Sequence, residues 1–317
     1  MLESVAIIGA GVSGLTCGVV FAERGYYTAI FAKEVAQRTT SGAAAAVWFP
    51  YDAEPAEKVI PWALATYEAL VDLTRDPSAG VSMIELRQFS RTKEIQIPDW
   101  AIPLGASVIP SGVEEPREFT SGYAITVPLM DTTIYLDYLA NRFSRAGGSI
   151  TKNVHFEKLE HMDLTFDLVI NCAGIGARDL VQDADVESHR GQVAIVPKMD
   201  NLSCAIVCDD APLMYAIPRA NDCLFGGTND LSSNLAVDPE TTDRIVAECS
   251  RVLHIEKPLV LAERVGLRPF RRSGVRLERA RLRDGRAIIH NYGHGGAGFT
   301  LSWGCAENVF ELAAASG

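Results

Sequence analysis

Gly9-Ala10-Gly11-Val12-Ser13-Gly14 is a G-x-G-x-x-G run set directly after the apolar segment Val5-Ala6-Ile7-Ile8. The spacing suits a pyrophosphate. Gly9 permits a tight turn, Gly11 lets the backbone approach the phosphates, and Gly14 lets the following helix pack closely on the strand. Around them Ala10, Val12 and Ser13 supply the turn and the helix start, whose free N–H groups and positive dipole end attract an anion. Further on, Lys33 stands where many dinucleotide-binding chains carry an acid, and Glu34 follows it. Lys33 is counted with the cofactor residues, and no single ribose-binding side chain stands out. The motif itself suits NAD or FAD.

Other reactive groups point to less. Ser13 is no nucleophile, because the G-x-S-x-G pattern is missing around it. His290 and His294 have no carboxylate or cysteine at ligand spacing, so no metal is expected, and both are read as braces for a glycine loop. Trp48, Trp62, Trp100 and Trp303 are read as core, not as stacking platforms for bases. The chain holds 7 cysteines, without a C-x-x-C pair, several in apolar runs such as Val169-Ile170-Asn171-Cys172. These are expected to be buried, reduced thiols of a cytoplasmic protein.

The elements that must hold these groups follow from periodicity. Residues 4–9 read as a buried parallel strand, 13–24 as a helix closed by Gly25, and 28–32 as a second strand. This is one strand–helix–strand crossover. Helices are expected over 62–73, 131–147 (Leu136, Leu139 and Phe143 inward), 238–253 (Ile245, Val246 and Cys249 inward) and 300–314. Residues 77–128 read as strands and loops. Strands are expected at 166–172, 192–196, 214–218, 223–226 and 286–290.

Bulk properties set the limits. With 317 residues, 48% hydrophobic and 22% charged, the chain can form two joined domains and a large core. A net charge of −11 disfavours nucleic acid and anionic lipid. No run approaches a membrane span, no basic leader precedes the first strand, and the C-terminus is not a peroxisomal address.

Four segments then carry a family resemblance. They are the 8–15 run around the glycines; Thr39-Thr40-Ser41 through Val47-Trp48-Phe49-Pro50-Tyr51; Val265-Gly266-Leu267-Arg268-Pro269 with Arg276-Leu277-Glu278; and the glycine-punctuated stretch from His290 to Gly304. Together they resemble the D-amino-acid oxidase family, especially its bacterial members, over nearly the whole chain. The resemblance implies FAD. It implies an α/β fold: a Rossmann-like FAD-binding domain with a parallel sheet, interleaved with an α+β substrate domain on a mostly antiparallel sheet. The implied division is 1–50, 133–190 and 286–317 for FAD, and 51–132 and 191–285 for substrate.

By the same resemblance Thr40 and Ser41 bind the flavin's phosphate and ribityl region, and the backbone of Ala46 and Val47 lines its ring. Val154 touches the adenine side through its backbone, and Ala173 and Gly174 lie beside the nucleotide. Gly295, Gly298, Phe299 and Thr300 wrap the flavin at the last helix start. Arg268 clamps the substrate carboxylate bidentately and reaches the cofactor, and the Tyr215 hydroxyl joins it. Val47, Phe49, Asn229 and Gly296 border the substrate pocket. The implied reaction is oxidative deamination of neutral D-amino acids to 2-oxo acids, ammonia and hydrogen peroxide, with hydride passing to flavin N5 and no side-chain base. A glycine- or sarcosine-type or biosynthetic amine oxidase shares the clamp, and a dehydrogenase using an acceptor other than oxygen is a further alternative. Expected partners are a small D-amino acid and oxygen, with a homodimer left open. Two departures narrow this. The position of the mammalian lid tyrosine falls near Ala211, so the lid is expected to be short or absent. Asn229 follows Gly226-Gly227-Thr228 where D-aspartate oxidases carry arginine, so an acidic substrate lacks its second clamp.

Overall fold

Val5, Ala6 and Ile7 have no accessible surface, because the strand they form lies deep in a sheet covered on both faces. In the computed structural model, which describes residues 3–110, 119–162 and 165–315, the chain runs through the following elements. First come β1 (Ser4–Ala10), α1 (Val12–Glu23), β2 (Tyr27–Val35), α2 (Ala56–Leu73), β3 (Val81–Ser90), β4 (Ser107–Val108), β5 (Ser121–Met130) and α3 (Thr132–Arg145). Next are β6 (Ser149–Lys152), β7 (Leu168–Asn171), α4 (Ala177–Leu180), β8 (Val186–Pro197), β9 (Ala205–Cys208), β10 (Met214–Pro218) and β11 (Asp222–Gly226). The rest are β12 (Asp230–Leu231), α5 (Pro239–Leu253), β13 (Ala262–Arg271), β14 (Arg276–Arg281), β15 (Ala287–Tyr292) and α6 (Gly298–Ala314). Residues 111–118, within the expected strand-and-loop region, lie outside the described residues, as do the chain ends 1–2 and 316–317 on which the leader and address readings partly rest.

The strands form two sheets. A 6-stranded sheet runs β14-β15-β7-β1-β2-β6, parallel throughout except at the β14 edge. A 9-stranded sheet runs β12-β8-β11-β10-β9-β3-β5-β4, with β13 also paired to β8. It is antiparallel except where β3 meets β9. Both sheets have the character expected from sequence. The chain passes between them repeatedly, and β14, inside the 191–285 span assigned to substrate, pairs in the nucleotide sheet.

Local chemistry explains most element ends. Asp131 caps α3 by accepting the Thr133 N–H at 3.0 Å, and Asp238 caps α5 by accepting from Glu240 at 3.3 Å. Gly25 takes φ +85 just past α1. The helix expected from residue 62 starts at Ala56 instead. Pro61 lies inside it, and Val59, 2% exposed, anchors the turn before the proline in the core. Strands β6, β9, β12, β13 and β14 escaped the reading. β13 and β14 carry many charged residues that face the edges and the cavity between the sheets, which hides their alternation.

The main core joins α1, α2, α3 and α6 to both sheets. At its centre Gly304 of α6 meets the backbone of α2, where an added Cβ would collide with the Trp62 carbonyl. All seven cysteines are free and buried. Among the described residues, no helix is long and apolar enough to cross a membrane. Gly304→Ala should lower stability by about 1–3 kcal/mol through overpacking of α2 on α6. Thermal unfolding followed by circular dichroism measures it, and an unchanged midpoint would contradict this packing.

Candidate active site

A cavity of about 780 Å³ runs from the β1–α1 turn, past the end of β2, to the face of the antiparallel sheet. At its first end Gly9 takes φ +102, and a side chain there would strike the Cys172 carbonyl. Gly14 stands behind the wall: a Cβ would collide with the Gly9 carbonyl, so it permits helix-on-strand packing as expected. Gly11 faces the cavity, with room for a Cβ only 3.0 Å from Ser41 Oγ. Val12 donates its N–H to that same Oγ at 3.0 Å, so the hydroxyl cluster is brought to the N-terminus of α1. Thr40 Oγ1 is held by donating to the Leu267 carbonyl at 3.3 Å. Ala10, Val12, Ser13, Thr40, Ser41, Ala173 and Gly174 all line this end.

Lys33 and Glu34 also border the cavity, at the far end of β2. Glu34 is engaged by Arg38, with oxygen and nitrogen 2.9 Å apart, so Lys33 is the less committed of the two. Val154 lies opposite and gives its N–H to the Ala32 carbonyl at 3.1 Å. A backbone contact from Val154 to a ligand therefore falls to its carbonyl.

Between the sheets the chain is strained into position. Ala46 adopts φ +55, uncommon for a residue with a Cβ, and is held by Met130 N donating to Ala46 O at 3.0 Å. Trp48 N donates to Pro128 O at 2.8 Å. Thr300 Oγ1 donates to Phe49 O at 2.9 Å, while Phe49 N donates back to that hydroxyl at 3.1 Å. Ala46, Val47 and Phe49 thus line the middle of the cavity beside Gly295, Gly296, Gly298, Phe299 and Thr300. The first N–H groups of α6 have no helical partner and face this space. Gly295 and Gly296 have a use the sequence did not show. Side chains there would strike Asp52 O and, 2.6 Å away, the Tyr51 ring.

At the third end Arg268 projects from β13 across Gly191 of β8, where a Cβ would lie only 2.5 Å from its Nη1. Nη1 donates to Thr228 O at 2.8 Å and to Asn229 Oδ1 at 3.3 Å. Among the described residues no carboxylate pairs with it. Tyr215 lies on Gly226 and Gly227 in the same way, its hydroxyl within hydrogen-bonding range of Arg268. Burial raises the Tyr215 pKa, against the pull of Arg268, and keeps the phenol protonated. Asn229 does not line the cavity. Its Nδ2 donates to Tyr51 Oη at 3.3 Å and its Oδ1 meets Arg268, so it positions both. Residues 209–213 alone join β9 to β10, a short connection as expected near Ala211.

Sequence reading missed Tyr51, Asp209 and the glycine floor at positions 191, 226 and 227. Tyr51 closes the 47–51 segment and could have been suspected there. Its pKa is pushed up to about 12, by burial first and then by Asp209 and Asp52, against Arg268. Gly226 and Gly227 were read only as the lead-in to Asn229, and Gly191 carried no signal, because what these glycines make room for lies on other strands. His294 braces the loop, its Nε2 2.9 Å from Asn291 Oδ1, whereas His290 Nδ1 lies 3.4 Å from Asn171 Nδ2 of β7.

An elongated cavity with a phosphate-type turn at one end, helix N-termini along it and an unpartnered guanidinium at the other has the features of a flavin-dependent oxidoreductase. The residues present fit FAD, since Gly11 faces the cavity and leaves its backbone open to the phosphates, while Gly9 lets the turn close against Cys172. The family model for FAD-dependent oxidoreductases matches residues 4–312, and the chain belongs to that family, with FAD as its cofactor. It is 37% identical to a D-amino-acid oxidase of Rubrobacter xylanophilus, across 100% of this chain and 97% of that one. A D-amino-acid oxidase of Streptomyces coelicolor is also 37% identical, over 98% and 96% of the two chains. In fold it resembles a glycine oxidase of Geobacillus kaustophilus, with TM-score 0.82, 19% identity and coverage of 99% and 96%.

Gly11→Val should raise the dissociation constant for FAD at least about tenfold, or about 1.4 kcal/mol. Titrating apoprotein with FAD by fluorescence quenching would show it, and wild-type affinity would refute the phosphate approach. Burial also lowers the pKa of both His290 and His294 to about 4 from 6.5. The unfolded chain binds these protons at higher pH than the folded one, so stability present above about pH 6.5 is lost as pH falls towards 4. Unfolding midpoints of the apoprotein should drop across that window, and His294→Gln should flatten the drop.

Proposed function

We propose that this protein oxidatively deaminates D-amino acids, including neutral ones, to 2-oxo acids and ammonia, with oxygen as the final acceptor. The observation that carries the reading is Arg268, a guanidinium without a carboxylate partner in a cavity that also holds the flavin-binding residues. A planar fork of donors fixes the distance and plane of a carboxylate together. With Nη1 tied to Thr228 O and Asn229 Oδ1, the guanidinium cannot swing away when substrate enters. Tyr215, flat on its glycines, offers a protonated hydroxyl to the same carboxylate. Bound FAD would supply the hydride acceptor for the substrate α-carbon, with oxygen as final acceptor giving hydrogen peroxide and water hydrolysing the released imine.

Gly9 to Ser13, Lys33, Thr40, Ser41, Ala46, Val47, Val154, Ala173, Gly174, Gly295 and Gly298 to Thr300 hold the cofactor in this reading. Val47, Phe49, Gly296 and, from behind, Asn229 shape the substrate end. Segments 1–50, 133–190 and 286–317 serve the flavin, joined by β14, while the rest of 191–285, with 51–132, serves the substrate. No side-chain base is assigned. The hydroxyls of Tyr51 and Tyr215 are held protonated by burial, and His294 is tied to Asn291. The chain contributes position and fixed dipoles, which is sufficient for a transfer between aligned partners. The curated relatives named as D-amino-acid oxidases support the reading, and Asn229 in place of arginine supports weak use of acidic substrates.

The test is anaerobic titration of the yellow holoprotein with D- and L-alanine. The D-enantiomer alone should bleach the flavin's visible absorption. Arg268→Ala should retain FAD but lose about 2–5 kcal/mol of substrate interaction, roughly thirtyfold to a few thousandfold in kcat/KM. Bleaching by the L-enantiomer, or full turnover without Arg268, would overturn the assignment.

A further inference from the structure

Asp209 has no place in the chemistry so far. It is the first residue after β9, whose Val207 lies opposite Tyr215 of β10. Side chains alternate along a strand, so Asp209, two residues beyond Val207, emerges on the face that carries Tyr215. Val207, Asp209, Tyr51, Tyr215 and Arg268 all line the one cavity. Asp209 is accessible, and the space it meets is that cavity.

Its neighbour Asp210 has partners that it lacks. Asp210 turns the other way, with Oδ2 accepting from Ser90 Oγ and Arg91 N, both at 2.7 Å. Asp52 Oδ2 lies 3.9 Å from His189 Nδ1 and is buried without a hydrogen bond among the described residues. Asp209 accepts one bond, from Gln88 Nε2 at 3.0 Å, and among the described residues no cation pairs with it. Desolvation on its protein side raises its carboxyl pKa, against the Gln88 hydrogen bond, and the charges of Asp210 and Asp52 add to the rise. Accessible from the cavity and without a cation of its own, this carboxylate is open to a positively charged ligand group. Arg268 presents the complementary situation, a cation without an anion. Tyr51 lies within electrostatic reach of both.

We propose that Asp209 receives the cationic end of the substrate side chain, so that D-amino acids bearing an ammonium or guanidinium group are accepted alongside neutral ones. The proposal rests on the oxidase reading above, since it takes Arg268 as the carboxylate clamp. A substrate such as D-lysine would then give each unpaired charge its counterpart, the α-carboxylate on Arg268 and the terminal ammonium near Asp209. Gln88 acts as a positioning residue that fixes one carboxylate oxygen and leaves the other for the ligand. Binding is the whole of the step, and no bond is made or broken at Asp209.

The experiment separates side-chain from α-amine recognition. Calorimetry on the holoenzyme compares 6-aminohexanoate with hexanoate, which share the carboxylate and carbon chain and carry no α-amine to oxidise. Wild type should bind the amine-bearing acid at least about tenfold more tightly, and Asp209→Asn should remove the difference. In turnover, the ratio of kcat/KM for D-lysine to that for D-norleucine should fall at least about tenfold in the same variant. Equal binding of the two acids by wild type, or an unchanged ratio in the variant, would overturn the proposal. Failure of the oxidase reading looks different: D-norleucine would leave the flavin coloured, whereas the calorimetric pair would still report on Asp209.

Discussion

A guanidinium facing a cavity without a carboxylate of its own is the interaction around which the rest of this molecule is arranged. An ion in such a place is costly, and a protein keeps it there only if a ligand supplies the opposite charge or dipoles hold it meanwhile. Here the holding is done by Thr228 O and Asn229 Oδ1, both neutral. Neutral acceptors restrain the fork without cancelling its charge, so its attraction for a carboxylate survives. A salt bridge in their place would satisfy Arg268 and silence it.

That arrangement places a steric demand on the antiparallel sheet. Arg268 and Tyr215 must lie flat over neighbouring strands, and only positions without a Cβ allow it. Gly191, Gly226 and Gly227 provide that floor. The same device recurs in the middle of the cavity, where Gly295 and Gly296 let the 51–52 segment rest against the loop before α6. Glycine is usually a liability in a sheet, since it adds no packing and loses more entropy on folding. Its concentration at these contacts shows where close approach outweighs that cost.

The two sheets divide the electrostatic work. The parallel sheet directs the N-terminus of α1 at one end of the cavity, and α6 follows the β15 loop with its own N–H groups facing inward. The antiparallel sheet carries the side-chain charges. The net charge of −11 does not govern this interior, because a local cation in a low-dielectric cavity acts more strongly than distant surface charge. Asp209 extends the pattern, a negative group set at a distance from the positive one within the same walls.

The phosphate turn was legible residue by residue. Glycines at 9, 11 and 14 act through backbone geometry within a few positions, and such local constraints are written in spacing. The amphipathic helices α3 and α5 were legible too, with Leu136, Phe143, Ile245 and Cys249 all buried. The start of α2 was not, because Pro61 argues against a helix that tertiary burial of Val59 sustains. Strands β13 and β14 were hidden for a related reason, since charged residues on edge and cavity faces break the alternation that marks a strand. Arg268 was found by its motif, but neither its lack of a carboxylate partner nor the bed of Gly191 could be read, as those depend on which strands become neighbours. Sequence alone determined the locally patterned elements, the glycine turn after β1 and the identities of the charged groups. The tertiary structure alone decided which charges lack partners, because pairing depends on distances between residues far apart in the chain.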